Sequence, residues 1–102
     1  MSILITAANS AQAHKLKSKL NTTGIILGDY RELPAFMLKQ GEMMRLPDPR
    51  SIAYTHEMLT LCLDNAIDTI YVLTNEEAAL LLESRQLFKE YNIELQVAIN
   101  EI

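Results

Sequence analysis

The chain has 102 residues, 49% of them hydrophobic and 22% charged, with three glycines and three prolines; this is a globular composition, long enough for one buried core and too short for two. Nine basic residues against thirteen acidic ones leave a net charge of −4, which disfavours binding to a phosphate backbone, so no nucleic-acid partner is expected. A single cysteine, Cys62, excludes an intramolecular disulfide, no apolar run approaches the about 20 residues of a membrane span, and no basic leader precedes Ile3; a cytoplasmic setting without membrane attachment is expected.

Ile3-Leu4-Ile5 is a short aliphatic strand. Ala13, Leu16 and Leu20 then stand at i, i+3 and i+7 of a helix that Ser10 can cap and that Asn21 to Gly24 stops. A second strand runs from Gly24 to Gly28, with Asp29 at its end. Arg31 to Gln40 carries Leu33, Phe36, Met37 and Leu38 as a short helix, with Pro34 in its first turn and Gly41 beyond its end. Met43 to Leu46 is a short third strand. The linker Leu46-Pro47-Asp48-Pro49-Arg50-Ser51 leads, with Ser51 as cap, into a helix whose stripe is Ile52, Thr55, Leu59, Cys62, Leu63 and Ala66. Thr69 to Leu73 is the fourth strand. The last helix opens at Asn75-Glu76-Glu77, an Asx cap followed by two carboxylates that complement the positive helix end. Its apolar face is Leu80, Leu81, Ser84, Leu87, Phe88 and Tyr91, with Leu82 pointing outward, and Ile93 to Ile99 is the fifth strand.

The first, second and fourth strands are nearly continuous Ile, Leu and Val, as central strands covered on both faces must be. The third is short and charged and the fifth alternates polar with apolar, which marks them as edges. This alternation predicts one α/β domain over residues 1–102, a three-layer Rossmann-like open parallel sheet of five strands in the order 3-2-1-4-5 with helices on both faces. Ligands of such sheets lie off the carboxyl ends of the strands. That directs attention to Thr6 to Ser10, Asp29 and Tyr30, Pro47 to Asp48, and Thr74 to Glu76.

The loop Thr6-Ala7-Ala8-Asn9-Ser10-Ala11-Gln12 has no glycine to let a pyrophosphate approach, but a helix amino end at Asn9 and Ser10 can hold a small anion through backbone N–H groups. Asp29 follows about twenty residues later, where a dinucleotide fold carries its ribose-binding acid; it is equally a helix N-cap before Tyr30-Arg31-Glu32. After His56-Glu57 the second histidine of a zinc-protease motif is replaced by Thr60, and His14, His56 and Cys62 lack ligand spacing, so no metal is expected. Cys62, among Leu59, Leu61 and Leu63, reads as a small buried hydrophobe, and Lys15, Lys17 and Lys19 as a solvated face. Glu76 and Glu77 diverge by about 100° on a helix, too far to act as a paired acid and base. No catalytic residue is expected.

Four stretches, Ile3 to Ser10, Leu27-Gly28-Asp29, Met44-Arg45-Leu46-Pro47 and Ile67 to Glu77, in this order and spacing, resemble the N-terminal Rossmann-like (pre-ATP-grasp) domain of carbamoyl-phosphate-synthase-like ATP-grasp proteins. The resemblance covers almost the whole chain, although Ala7 and Ser10 stand where that family's opening turn carries glycines. It implies a substrate-side, ligase-associated domain that packs against an ATP-grasp catalytic domain or subunit, in cis or in trans. ATP and Mg²⁺ would be held by that partner, with no cofactor in this chain, which is then non-catalytic alone. The candidate ligand contacts at the carboxyl edge are Asn9, Ser10, Asp29, Tyr30, Asn75 and Glu76. Two other readings stay open: a stand-alone small-molecule or nucleotide-binding module, with Asp29 on a ribose and the Asn9-Ser10 turn on a phosphate, and a homo-oligomeric scaffold using Leu82 and the outer faces.

Overall fold

A strand buried on both faces needs apolar side chains pointing both ways, and the aliphatic runs supply them. The computed structural model describes residues 2–7, 11–20, 24–30 and 43–97. In chain order these form β1 (Ser2–Ile5), α1 (Ala11–Leu20), β2 (Ile25–Asp29), β3 (Met43–Arg45), α2 (Tyr54–Asp64), β4 (Ile67–Val72), α3 (Asn75–Glu83), α4 (Arg85–Glu90) and β5 (Glu94–Val97). The expected helix from Arg31 to Gln40 and the end of the expected fifth strand lie outside the described residues.

All four strand pairs are parallel, and the sheet order is β3-β2-β1-β4-β5. The register sets Leu4 between Ile26 and Ile70, and Ile5 between Leu27 and Tyr71. Alternate residues then feed two cores. Ile5, Leu27 and Met43 pack with Ala13 and Leu16 of α1 on one face. Leu4, Ile70, Val72 and Leu95 pack on the other with Tyr54, Met58 and Cys62 of α2, Ala78 and Leu81 of α3, and Phe88 of α4. This is the three-layer Rossmann-like arrangement, with β3 and β5 as its edges.

Two helices depart from the sequence expectation. Of the expected stripe Leu59 and Cys62 are buried, but Ile52 is fully exposed, Leu63 about half and Ala66 exposed, and Tyr54 and Met58 are buried in their place. The cause is the turn ahead of α2. Asp48 accepts from the Ser51 amide at 2.9 Å, Ser51 Oγ accepts from the Ala53 amide at 3.2 Å, and the Tyr54 amide reaches Ser51 O at 3.1 Å. These bonds consume residues 48–53 before the helix starts, so Ser51 organises the turn and is not the cap, and the apolar phase is counted from Tyr54. The last helix is two. At Ser84 the backbone is no longer α-helical (φ −112°, ψ 21°), its amide bonds Leu81 O at 3.0 Å in a tighter turn, and α4 restarts on the next residue. Leu81 and Phe88 of the expected face are still buried, whereas Tyr91 is half exposed.

Gly28 fixes the spacing at the β2–β3 edge. A Cβ built there would lie 2.7 Å from Leu46 Cδ2 and 2.8 Å from Leu46 Cγ, and Leu46 is itself buried. Gly28→Ala should therefore overpack this core and lower unfolding stability by about 1–3 kcal/mol in urea titration; a midpoint equal to wild type would show that Leu46 moves aside freely.

Candidate functional site

In an open parallel sheet the crevice forms where strand order reverses, here between the carboxyl ends of β1 and β4. Thr6 ties these ends together. Its amide donates to Tyr71 O at 3.0 Å, and its hydroxyl, fully buried, accepts from the Leu73 amide at 2.9 Å. Ala7 next turns off the strand with φ 57°, in the left-handed region that costs a residue with a Cβ about 1–2 kcal/mol. The chain thus takes up a glycine-favouring conformation where an alanine stands.

β4 hands over to α3 at Thr74, which is extended (φ −120°, ψ 145°) and is the N-cap in place of Asn75. Its hydroxyl accepts from the Glu77 amide at 3.4 Å and donates to Glu77 Oε1 at 2.9 Å. Thr74 and Glu77 have the Thr-x-x-Glu spacing of a capping box. Glu77 does more than complement the helix end. It is fully buried, and Tyr54 of α2, 1% exposed, donates its hydroxyl to Oε2 at 2.8 Å. Loss of water raises the Glu77 pKa, and the charges of Asp29 and Glu76 raise it further, against the two hydroxyl hydrogen bonds that lower it. Burial, followed by the facing Glu77 charge, pushes the Tyr54 phenol up.

Asp29 lies at the end of β2 and is fully buried, with its carbonyl accepting from the Leu46 amide at 2.9 Å. Tyr30 beside it is half-buried, and Asn75 and Glu76 are exposed on the first turn of α3. Asn9 and Ser10 lie outside the described residues. From the β3–α2 loop comes Arg50, exposed, its pKa raised first by the hydrogen bond and charge of Asp48 and less by Tyr30 and Glu76. Its guanidinium is engaged with Asp48, through Nε to Oδ1 at 3.2 Å and Nη2 to Oδ2 at 2.9 Å, which holds the Asp48 carboxyl below its usual range. The carboxyl edge therefore brings Asp29, Tyr30, Asn75 and Glu76 into one neighbourhood, over a floor of Thr6, Tyr54, Thr74 and Glu77. The floor was not anticipated as a unit, although the Thr74–Glu77 spacing was its visible signal.

Cys62 is buried and its thiol pushed up to about 12 by burial, which makes it inert as a nucleophile. Among the described residues no group of three His, Cys, Asp or Glu side chains is placed to hold a metal ion, and no helix is long and apolar enough to cross a membrane. An open groove of about 890 Å³ lies at the amino ends of β4 and β5, lined by Asp68, Leu82, Arg85, Lys89 and Glu94 among others. It is at the wrong end of the sheet for a Rossmann-like ligand. No protein-family model matches the chain, and no curated protein matches it.

The floor is testable through its hydroxyls. Tyr54→Phe and Thr74→Ala each remove a donor to a buried carboxyl, and each should cost about 1–3 kcal/mol of unfolding stability. Arg50→Ala, which breaks the exposed ion pair while keeping the Arg50 amide on Asp48 Oδ1, should leave the thermal midpoint nearly unchanged. Equal small effects from all three would show that the floor carries no more stability than the surface.

Proposed function

We propose that this chain is the N-terminal, substrate-side domain of an ATP-grasp ligase of the carbamoyl-phosphate-synthase-like kind. It is non-catalytic by itself and acts by packing its carboxyl edge against a catalytic domain or subunit, in cis or in trans. ATP and Mg²⁺ belong to that partner, and the setting is cytoplasmic. The resemblance of four ordered stretches to that domain supports the reading, and so does the sheet order β3-β2-β1-β4-β5.

The observation that carries it is the state of the polar groups at the switch point. A general base must reach a substrate proton, yet Glu77 is fully buried with a hydroxyl on each oxygen, and Asp29 is fully buried beside it. These groups build a wall. The exposed residues above them, Asn75 and Glu76, are suited to contact with a partner or a passing substrate. Burial of Asp29 likewise argues against a free-standing module in which that residue holds a ribose.

Calorimetric titration of the chain with MgATP at millimolar concentration should give no saturable heat, and phosphate release should stay at background. Saturable binding lost in Asp29→Ala would replace this reading with the nucleotide-binding module, and ATP turnover by the purified chain would end it.

A further inference from the structure

Three elements converge on one carboxyl group. Glu77 comes from the first turn of α3, its Oε2 partner Tyr54 from the first residue of α2, and its Oε1 partner Thr74 from the end of β4. Both partners are hydroxyls. A hydroxyl can donate to a carboxylate or, by rotating, accept from a carboxylic acid, so the same two contacts serve either protonation state of Glu77. What distinguishes the two states is charge. Among the described residues, the ionisable groups acting on Glu77 are Tyr54 from α2, Asp29 from β2 and Glu76 on its own helix. Asp29 and Glu76 are acidic, Tyr54 contributes a neutral hydroxyl, and beyond Tyr54 on α2 lies the buried neutral thiol of Cys62. The amino end of α3 favours the anion, but it acts against full burial and a second buried carboxyl. Among the described residues Arg50 is a nearby cation, but it lies by Tyr30 and Glu76 and is engaged by Asp48.

We propose that Glu77 is a proton latch: as the neutral acid it fastens α2 to the start of α3 beneath the carboxyl edge, and loss of its proton loosens that seam. The latch is a property of the isolated fold and does not depend on docking to a catalytic partner. The sign follows from the direction of the perturbation. With the folded-state pKa above the unfolded one, the stabilisation is complete below the unfolded value, declines as pH rises from there, and is gone once pH passes the folded value. Across that window the folding equilibrium constant falls by up to tenfold per pH unit for this one proton.

The measurement is carboxyl-carbon NMR on the full chain labelled at glutamate, with the Glu77 resonance identified by its absence in Glu77→Gln. The expected inflection lies well above about 4.3, the value of an unperturbed glutamate, and it should move down in Asp29→Asn. An inflection at or below 4.3 overturns the latch. In parallel, the ratio of wild-type to Glu77→Gln folding constants should fall with rising pH and then level off, whereas a ratio independent of pH overturns the proposal. If Glu77→Gln does not fold, amide exchange in wild type decides. Protection at residues 57–59 and 78–81, corrected for intrinsic rates, should drop as pH crosses the inflection; unchanged protection there means the proton fastens nothing.

Discussion

The hydrogen bonds on the two oxygens of Glu77 hold the carboxyl end of this fold together. One crosses to α2 and the other closes the β4–α3 junction, so a single buried group sets how both helices enter from the sheet edge. An unpaired carboxyl there would carry a desolvation penalty of about 1–3 kcal/mol or more, and each hydroxyl offsets part of it only in this geometry. The start of α2 at Tyr54, the cap at Thr74 and the burial of Met58 and Leu81 are therefore mutually dependent. Thr6 does the corresponding work one strand over, joining β1 to β4 through its own buried hydroxyl.

The same interaction explains why only Leu59 and Cys62 of the apolar stripe expected for α2 are buried, and Ile52, Leu63 and Ala66 are not. Periodicity selects among phases by counting hydrophobic side chains, and Ile52, Thr55, Leu59, Cys62, Leu63 and Ala66 make a good count. The turn held by Asp48 and Ser51 adds a constraint that the count does not contain, and Tyr54, an amphipathic residue, wins the buried position because its ring joins the core while its hydroxyl reaches Glu77. Ile52 is left in solvent. The break at Ser84 escaped for a related reason: the residues on either side keep helical spacing, so the pattern reads straight through a turn where one backbone residue leaves the helix.

The sheet, by contrast, was legible almost completely. Ile3-Leu4-Ile5, Ile25-Ile26-Leu27 and Ile70-Tyr71-Val72 are apolar on consecutive positions, which only a strand covered on both faces tolerates, and the short charged and alternating runs fell to the edges. Strand order followed from connection rules acting on that contrast. The candidate site was legible only in outline. Strand ends located Asp29, Tyr30, Asn75 and Glu76 at one edge, but burial of Asp29 and Glu77 depends on contacts between residues far apart in sequence, such as Tyr54 with Glu77. No spacing rule encodes those.

Burial also changes what the acidic residues at this edge can do. Glu76 and Glu77 are neighbours in sequence, yet one faces solvent and the other is sealed under it. The exposed carboxyl is available to a partner, while the buried one responds to it through the field between them, as the effect of Glu76 on Glu77 already indicates. A cation or a donor brought against Glu76 by a docking surface would favour the ionised form of Glu77, and an anion brought to the same place would favour the neutral form. Since the proton on Glu77 fastens α2 to α3, whatever binds above this edge is coupled to the packing below it, and by reciprocity the packing biases which sign of charge the edge accepts.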